Sequence, residues 1–486
     1  MERRWPILLV VSLAVVLAAI AVRATNDAPA ERRRAAAEEA EERGGAAELQ
    51  EQQEKTEERL EALREARAAG LFGLREAVVT AAAPGWAGEQ VMNVPTDDWE
   101  PAIAADPNAP FVYVLATRYA AKPCPGNCPS PWMALEISSD GGATWSQGTP
   151  LCACKGSGQF DPIIEVVPNT GHVYAVYMNG YNVVFTKSTD HGQSWTVPVG
   201  TFGKVSWNDK PVLAMSDDGR HVYVSWNGPN GGDPYVAQSH DFGATWTQTK
   251  IDNGTRYYFA YDADVLANGS VVFSESSIDY GGPGSTPEDQ VQHHVFVSTN
   301  QGASWQNVVV DAVEIGEPCV AAGCSSDFYL GHSGISADAA GNLVIVYDGA
   351  TTPGGKQQIF SRRSTNGVSW SARTSLSPPT EHSTAPVVES RGAGDVRMWF
   401  AQTNGGNHDA WNIWYRSSTD GGVTWAAPVK ISDAVSGAAY KTADGFQEFY
   451  GDYGEIAITS AGKTIGIWGE AFSYTGPGGA WFNRQL

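Results

Sequence analysis

The stretch SSDGGATW at residues 138–145 returns five more times along the chain. The copies are STDHGQSW at 188–195, SHDFGATW at 239–246, STNQGASW at 298–305, the shortened STNGVSW at 364–370 and STDGGVTW at 418–425. Their closing tryptophans stand 50 to 65 residues apart. A period of that length marks an array of equal units, each too short to bury a core alone, so the units must pack on one another. The phrase itself reads as a hairpin turn. Its Asp or Asn can bond backbone N–H groups two residues on, and the glycine that follows (Gly142, Gly192, Gly243, Gly302, Gly422) can take a positive φ. Alternating apolar runs such as YNVVFTKS and WNIWYRS precede the copies, the pattern of half-buried strands.

S-x-D-x-G-x-[ST]-W resembles the Asp-box, or BNR repeat, of sialidases and related β-propeller proteins. Four intact copies and two variants carry the resemblance, which extends over residues 88–486. It implies an all-β propeller with each box at the turn between the third and fourth strands of a blade, on the face opposite any active site. The boxes are therefore expected to be scaffold.

A second phrase counts the blades. A short apolar strand, a turn and a stronger apolar strand begin at Pro101, Pro162, Pro211, Ala263, Ser333, Ala385 and Gly454, one set more than there are boxes. After the seventh set, GGAWFNRQL ends the sequence as a third strand without a fourth. EQVMNV at 89–94 is a spare strand that can complete that blade and close the ring, which removes the open sheet edge. The expectation is seven blades, with six, the number in sialidases, as the alternative.

The N-terminal residues are of another kind. Two arginines precede an apolar run from Trp5 to Val22. Such a run serves as a cleaved signal peptide or as an uncleaved membrane anchor, here residues 1–24. Residues 25–87 form a charged spacer, with Leu60, Leu63, Leu71, Leu74 and Val78 at helical spacing. A helix, with a short coiled coil, and a solvated linker both fit. Either way the propeller is expected outside the cell or on its surface, and the N-terminal helix, if uncleaved, is its link to a membrane. From residue 81 onward 20 basic residues face 39 acidic ones. Such a surface repels nucleic acid. The six cysteines fit an oxidising compartment. Cys319 with Cys324, and two bridges among Cys124, Cys128, Cys152 and Cys154, is the expected pattern, with a zinc site as the other reading.

Loops leading into the first strand of each blade converge on the central channel. Those positions, with the ends of the second strands, supply the candidate acid, base and nucleophile residues Asp161, Asp209, Asp262, Glu275, Asp452, Tyr453 and Glu470, with His332 and His382 as helpers. Crowded carboxylates split their pKa values, which suits acid–base work. The same oxygen-rich ring could hold Ca²⁺, although no cofactor is required. Trp99, Trp207, Trp226, Tyr257, Tyr258 and Trp411 fall near the same funnel and could face sugar rings or pack between blades. The three-arginine clamp of sialidases is hard to assemble: their Arg-Ile-Pro motif is replaced by DDWEPAIA, and only Arg118 and Arg256 fall near the mouth. Two functions follow. One is a sialidase-like glycoside hydrolase. The other is a non-catalytic propeller that binds a glycan or a surface protein.

Overall fold

The computed structural model describes residues 81–486, apart from 93–96, 121, 124–127, 152–157, 206, 254–255, 280–289, 317–330, 406, 439–453 and 472–477, with single residues between 57 and 69. The apolar N-terminal run and most of the spacer lie outside the described residues. No helix among those described is long and apolar enough to cross a membrane. Cys128 is disulfide-bonded. The other five cysteines, and with them the expected pairings, lie outside the described residues.

Seven four-stranded antiparallel sheets form the blades of a propeller, which excludes the six-bladed alternative. The inner strands are Asp97–Ala105, Gln159–Val166, Asp209–Met215, Arg256–Val265, Ser333–Ala337, Ser383–Ser390 and Glu455–Ile458 for blades 1 to 7. Blade 7 takes its fourth strand from the other end of the chain. Gln90 pairs with Phe482 and Val91 with Trp481, Met92 donates to the Ala480 carbonyl, and Trp86 bridges to Gln485. The closing strand is Gln90–Val91, within the expected segment 89–94, and its bridge at Trp86 extends the contact further towards the N-terminus.

The core sits between blades rather than within them. Seven apolar clusters fill the seven successive interfaces. The one that closes the ring sets Ile103, Val112 and Val114 of blade 1 against Ala457, Ile465, Ile467 and Phe482 of blade 7. The middle strands of the blades are buried on both faces, so they carry near-continuous apolar runs rather than the half-buried alternation expected, while the outermost strands stay partly exposed.

The boxes are built as their chemistry demands. In the first, the buried Ser138 hydroxyl accepts the Gly142 N–H at 2.8 Å and donates to Asp140 at 2.8 Å. Asp140 in turn accepts the Thr144 N–H at 2.8 Å and its hydroxyl at 2.6 Å. The same geometry recurs at Asp190, Asp241 and Asp420. A side chain at Gly142 would strike Ile465 of blade 7, and one at Gly243 would strike Phe185 of blade 2. Each box glycine therefore serves twice, in its own left-handed turn and in the close approach to the preceding blade.

Candidate active site

The inner strands begin with a repeated irregularity. Glu100, Asp161, Lys210 and Ala385 each precede a proline and each takes a left-handed φ, of 54°, 49°, 48° and 48°. At all four the ladder register breaks, between Trp99 and Ala102, Phe160 and Ile163, Asp209 and Val212, and Thr384 and Val387. These are β-bulges, which bend a strand and re-aim a side chain. Non-glycine residues avoid this conformation, the more so before proline. Such strain gathers at functional sites, and here it lies at the channel mouth.

Beyond the bulges, alternate residues of the inner strands face the axis. Counted back from the turn into the second strand, one tier reads Ala104, Glu165, Ala214, Asp264, Ser336, Glu389 and Ala457 around the ring. Acids stand on blades 2, 4 and 6, small residues between them. The tier nearer the mouth adds Asp262 and Glu455. An axial cavity of about 110 Å³ is lined by Glu165, Asp262, Glu389 and Glu455, with Tyr261 and His332 at its upper end. Burial raises all of these carboxyls. Asp262 is pushed to about 8 and Asp264 to about 6. Glu165, Glu389 and Glu455 rise well above the usual range, burial first and mutual repulsion second. Asp262 accepts the Ile335 N–H at 2.8 Å, Asp264 the Ala337 N–H at 2.7 Å and Glu455 the Ile103 N–H at 2.7 Å, so three of the five tie one blade to the next.

His332 is held at this upper end by Asp348. The Asp348 carboxylate lies 3.2 Å from His332 Nδ1 and accepts the His332 backbone N–H at 2.9 Å. It also accepts the Thr384 hydroxyl at 2.5 Å and the Ala385 N–H at 3.2 Å. The strained residue of blade 6 thus helps fix the carboxylate of blade 5. The Tyr261 ring lies 5.2 Å from the imidazole.

The remaining candidates disperse. Asp161 donates its N–H to Glu100 at 3.1 Å, and Glu100 also accepts the Thr117 hydroxyl at 2.9 Å. Asp209 lies 3.5 Å from the Asn227 amide. Glu275 is buried in the interface of blades 3 and 4, accepting the Ser225 hydroxyl at 2.8 Å, and burial pushes it to about 8. Glu470 is buried beside Trp468, whose indole N–H reaches it at 3.4 Å. His382 is buried with Lys356 at 3.0 Å and does not line the cavity. Asp452 and Tyr453 lie outside the described residues. Among the described residues of the expected set, only Asp262 and His332 meet in one cavity.

Sequence reading reaches Asp264 at the mouth but misses Glu165, Glu389 and Glu455, which lie further along the inner strands. The signal for Glu165 and Glu389 was present in the aligned phrases, as an acid at the same place as Asp264 on every second blade. Among the described residues no group of three or more His, Cys, Asp or Glu is arranged to hold a metal ion. The arginines near the mouth are committed elsewhere. Arg118 donates two buried hydrogen bonds to the Asp98 carboxylate, at 2.7 and 2.6 Å, and a third to Glu136 at 2.5 Å. Arg256 bonds Ser277 at 2.8 Å and the Gln290 carbonyl at 2.5 Å.

No family model matches the sequence, and no curated protein matches it. Solved structures do. A protein of unknown function from Dyadobacter fermentans is 12% identical, with 83% of this chain and 99% of that one covered and a TM-score of 0.47. A polysaccharide lyase of the ulvan lyase family PL25 is 13% identical, with 82% and 94% covered and a TM-score of 0.49. The sialidase of Trypanosoma rangeli is 13% identical, with 80% and 54% covered and a TM-score of 0.39. These distant likenesses concern the fold and assign no activity to this chain.

Proposed function

We propose that this propeller acts on glycans at its channel mouth, with His332 as the group that moves the proton. The observation that carries the proposal is the grip of Asp348 on His332. A carboxylate on Nδ1 favours the tautomer with its proton there, which leaves the basic lone pair on Nε2. Four bonds from two blades fix that carboxylate, so the imidazole is oriented before any substrate arrives. Asp262, raised by burial, is a proton donor at neutral pH, and Tyr261 lines the same cavity with its ring 5.2 Å from the imidazole. A base, an acid and a phenol at one mouth suit acid–base cleavage of a glycosidic bond. The cavity of about 110 Å³ accepts several waters but not a sugar chain. The glycan therefore lies across the mouth. Export is supported by the arginine-flanked apolar run and by the disulfide at Cys128.

The test is a turnover screen on neutral and uronic polysaccharides. His332→Gln is expected to lower kcat by roughly 10²–10⁴-fold, the range for losing a positioned base. Asp348→Asn should lower it less and displace the acidic limb of the pH–rate profile, where the base is protonated. Unchanged turnover in His332→Gln would sink the assignment. A second reading, a binding propeller without catalysis, is favoured by one observation: Asp262, Asp264 and Glu455 spend oxygens on backbone amides. Saturable glycan binding with no turnover on any substrate would select it.

A further inference from the structure

Of the six aromatic residues near the funnel, four are packing. Trp99, Trp226, Trp411 and Tyr258 are all nearly or fully buried. Trp207 and Tyr257 keep partial exposure. Trp207 has two further properties that packing does not require. Its φ is 56°, in the left-handed region that bulky residues avoid. Its indole also lies almost parallel to the Tyr181 ring, at 18° and 5.9 Å between centroids.

These two residues come from different blades. Tyr181 lies between the second and third strands of blade 2, and Trp207 just before the inner strand of blade 3. Both connections emerge at the mouth. Asn208, which is fully buried, ties them together. Its backbone N–H donates to the Tyr181 carbonyl at 3.0 Å. Its side-chain oxygen accepts the Val183 N–H at 3.3 Å, and its amide donates to the Val205 carbonyl at 3.2 Å. The strained backbone at Trp207 is thus held by its neighbour, and the ring pair is set in place without a ligand.

We infer that Tyr181 and Trp207 form a stacking platform for one sugar ring of a neutral glycan lying across the mouth. This rests on the glycan reading above and gives it a binding subsite. The outward face of an offset-stacked aromatic pair takes the C–H face of a sugar, and the indole N–H adds one donor for a hydroxyl. Two residues on from Trp207, Asp209 lies 3.5 Å from the Asn227 amide, which is also 3.4 Å from the Tyr257 hydroxyl. The formal charge of −22 disfavours a polyanion, and the two arginines nearest the mouth already have carboxylate or backbone partners. The platform on blades 2 and 3 and His332 on blade 5 lie on different sides of the channel, as a polymer bridging the mouth requires.

The test is binding of the full chain to soluble arabinan, xylan, galactan and glucomannan, with polygalacturonate as a polyanion. Affinity electrophoresis and calorimetry would read it. Trp207→Ala should weaken binding of the preferred neutral glycan about tenfold, the scale of a lost stacking contact. Trp207→Phe keeps a flat ring and should stay within about threefold of the parent on the same scale. Both should melt with the parent. If Trp207→Ala folds poorly, Tyr181→Ala offers the same loss without touching the strained residue. Binding by Trp207→Ala equal to the parent's would overturn the platform and leave the glycan reading standing. A parent that binds none of the polymers would overturn both, and tighter binding of polygalacturonate would overturn the neutral class.

Discussion

At the scale of single residues, the Asp-box shows which of its conserved-looking atoms matters most. The exposed Asp140 carboxylate is the visible feature, yet the serine oxygen is the buried one. Ser138→Ala would leave the buried Gly142 N–H without its acceptor, a penalty of about 1–3 kcal/mol. Asp140→Ala removes bonds that water can replace and should cost about 1 kcal/mol. Urea unfolding of the two variants should rank them in that order, and the reverse order would place the strength of the turn in the carboxylate. Asp140 also predicts a pH response. Its Thr144 partner holds the carboxyl at about 2, below the value of an unfolded chain. Its contribution is therefore present above pH 4 and fades as pH falls towards 2. The serine and aspartate roles and the glycine's turn were legible in eight letters because those partners lie within four residues, whereas the glycine's approach to the preceding blade, Gly142 against Ile465, was not.

At the scale of elements, the inner strands decide both the site and its response to pH. Asp262, Asp264 and Glu275 have folded pKa values raised to about 8, 6 and 8. A raised carboxyl means that the folded state holds protons the unfolded chain has released. Stability is then fully present below about pH 4 as far as these groups go, and is lost as pH rises through the folded values. Thermal unfolding should show a falling Tm between pH 5 and 8. Asp262→Asn mimics the protonated acid and should flatten part of that slope, whereas an unchanged slope would remove Asp262 from the cause. Repeat alignment displays the acids on alternate blades without any structure. It does not display the bulges at Glu100, Asp161, Lys210 and Ala385. One extra residue reverses which side chains face the channel. That is why Asp161, inside its bulge, donates its backbone N–H to Glu100 of the neighbouring blade, while Glu165 beyond the bulge faces the axis.

At the scale of the whole molecule, two residues in β-structure close a ring of about four hundred. Gln90 and Val91 cover an edge of blade 7 that would otherwise stand open. Met92→Pro deletes the N–H bonded to Ala480 at 2.8 Å. It should lower stability by roughly 1–3 kcal/mol and broaden the unfolding transition, because the interface of blades 7 and 1 then opens first. Calorimetry checks this, and a transition as sharp and as high as the parent's would show that closure contributes nothing. Closure was legible as a tally: seven inner phrases, six boxes and one spare strand.

The division between sequence and structure follows the range of the interactions. Turns, strands, the number of blades and the strand that closes them rest on contacts between neighbours in the chain or on repetition, and a linear text carries both. The site rests on contacts between blades some fifty residues apart. Which carboxylates share the axial cavity, and why Glu275 is packed away against Ser225 of the next blade, depend on register, bulges and the distance between blades. Nothing in a single repeat encodes those distances. They exist only once seven sheets have packed around one axis, and only there do His332, Asp348 and Thr384, from two blades, become one hydrogen-bonded group.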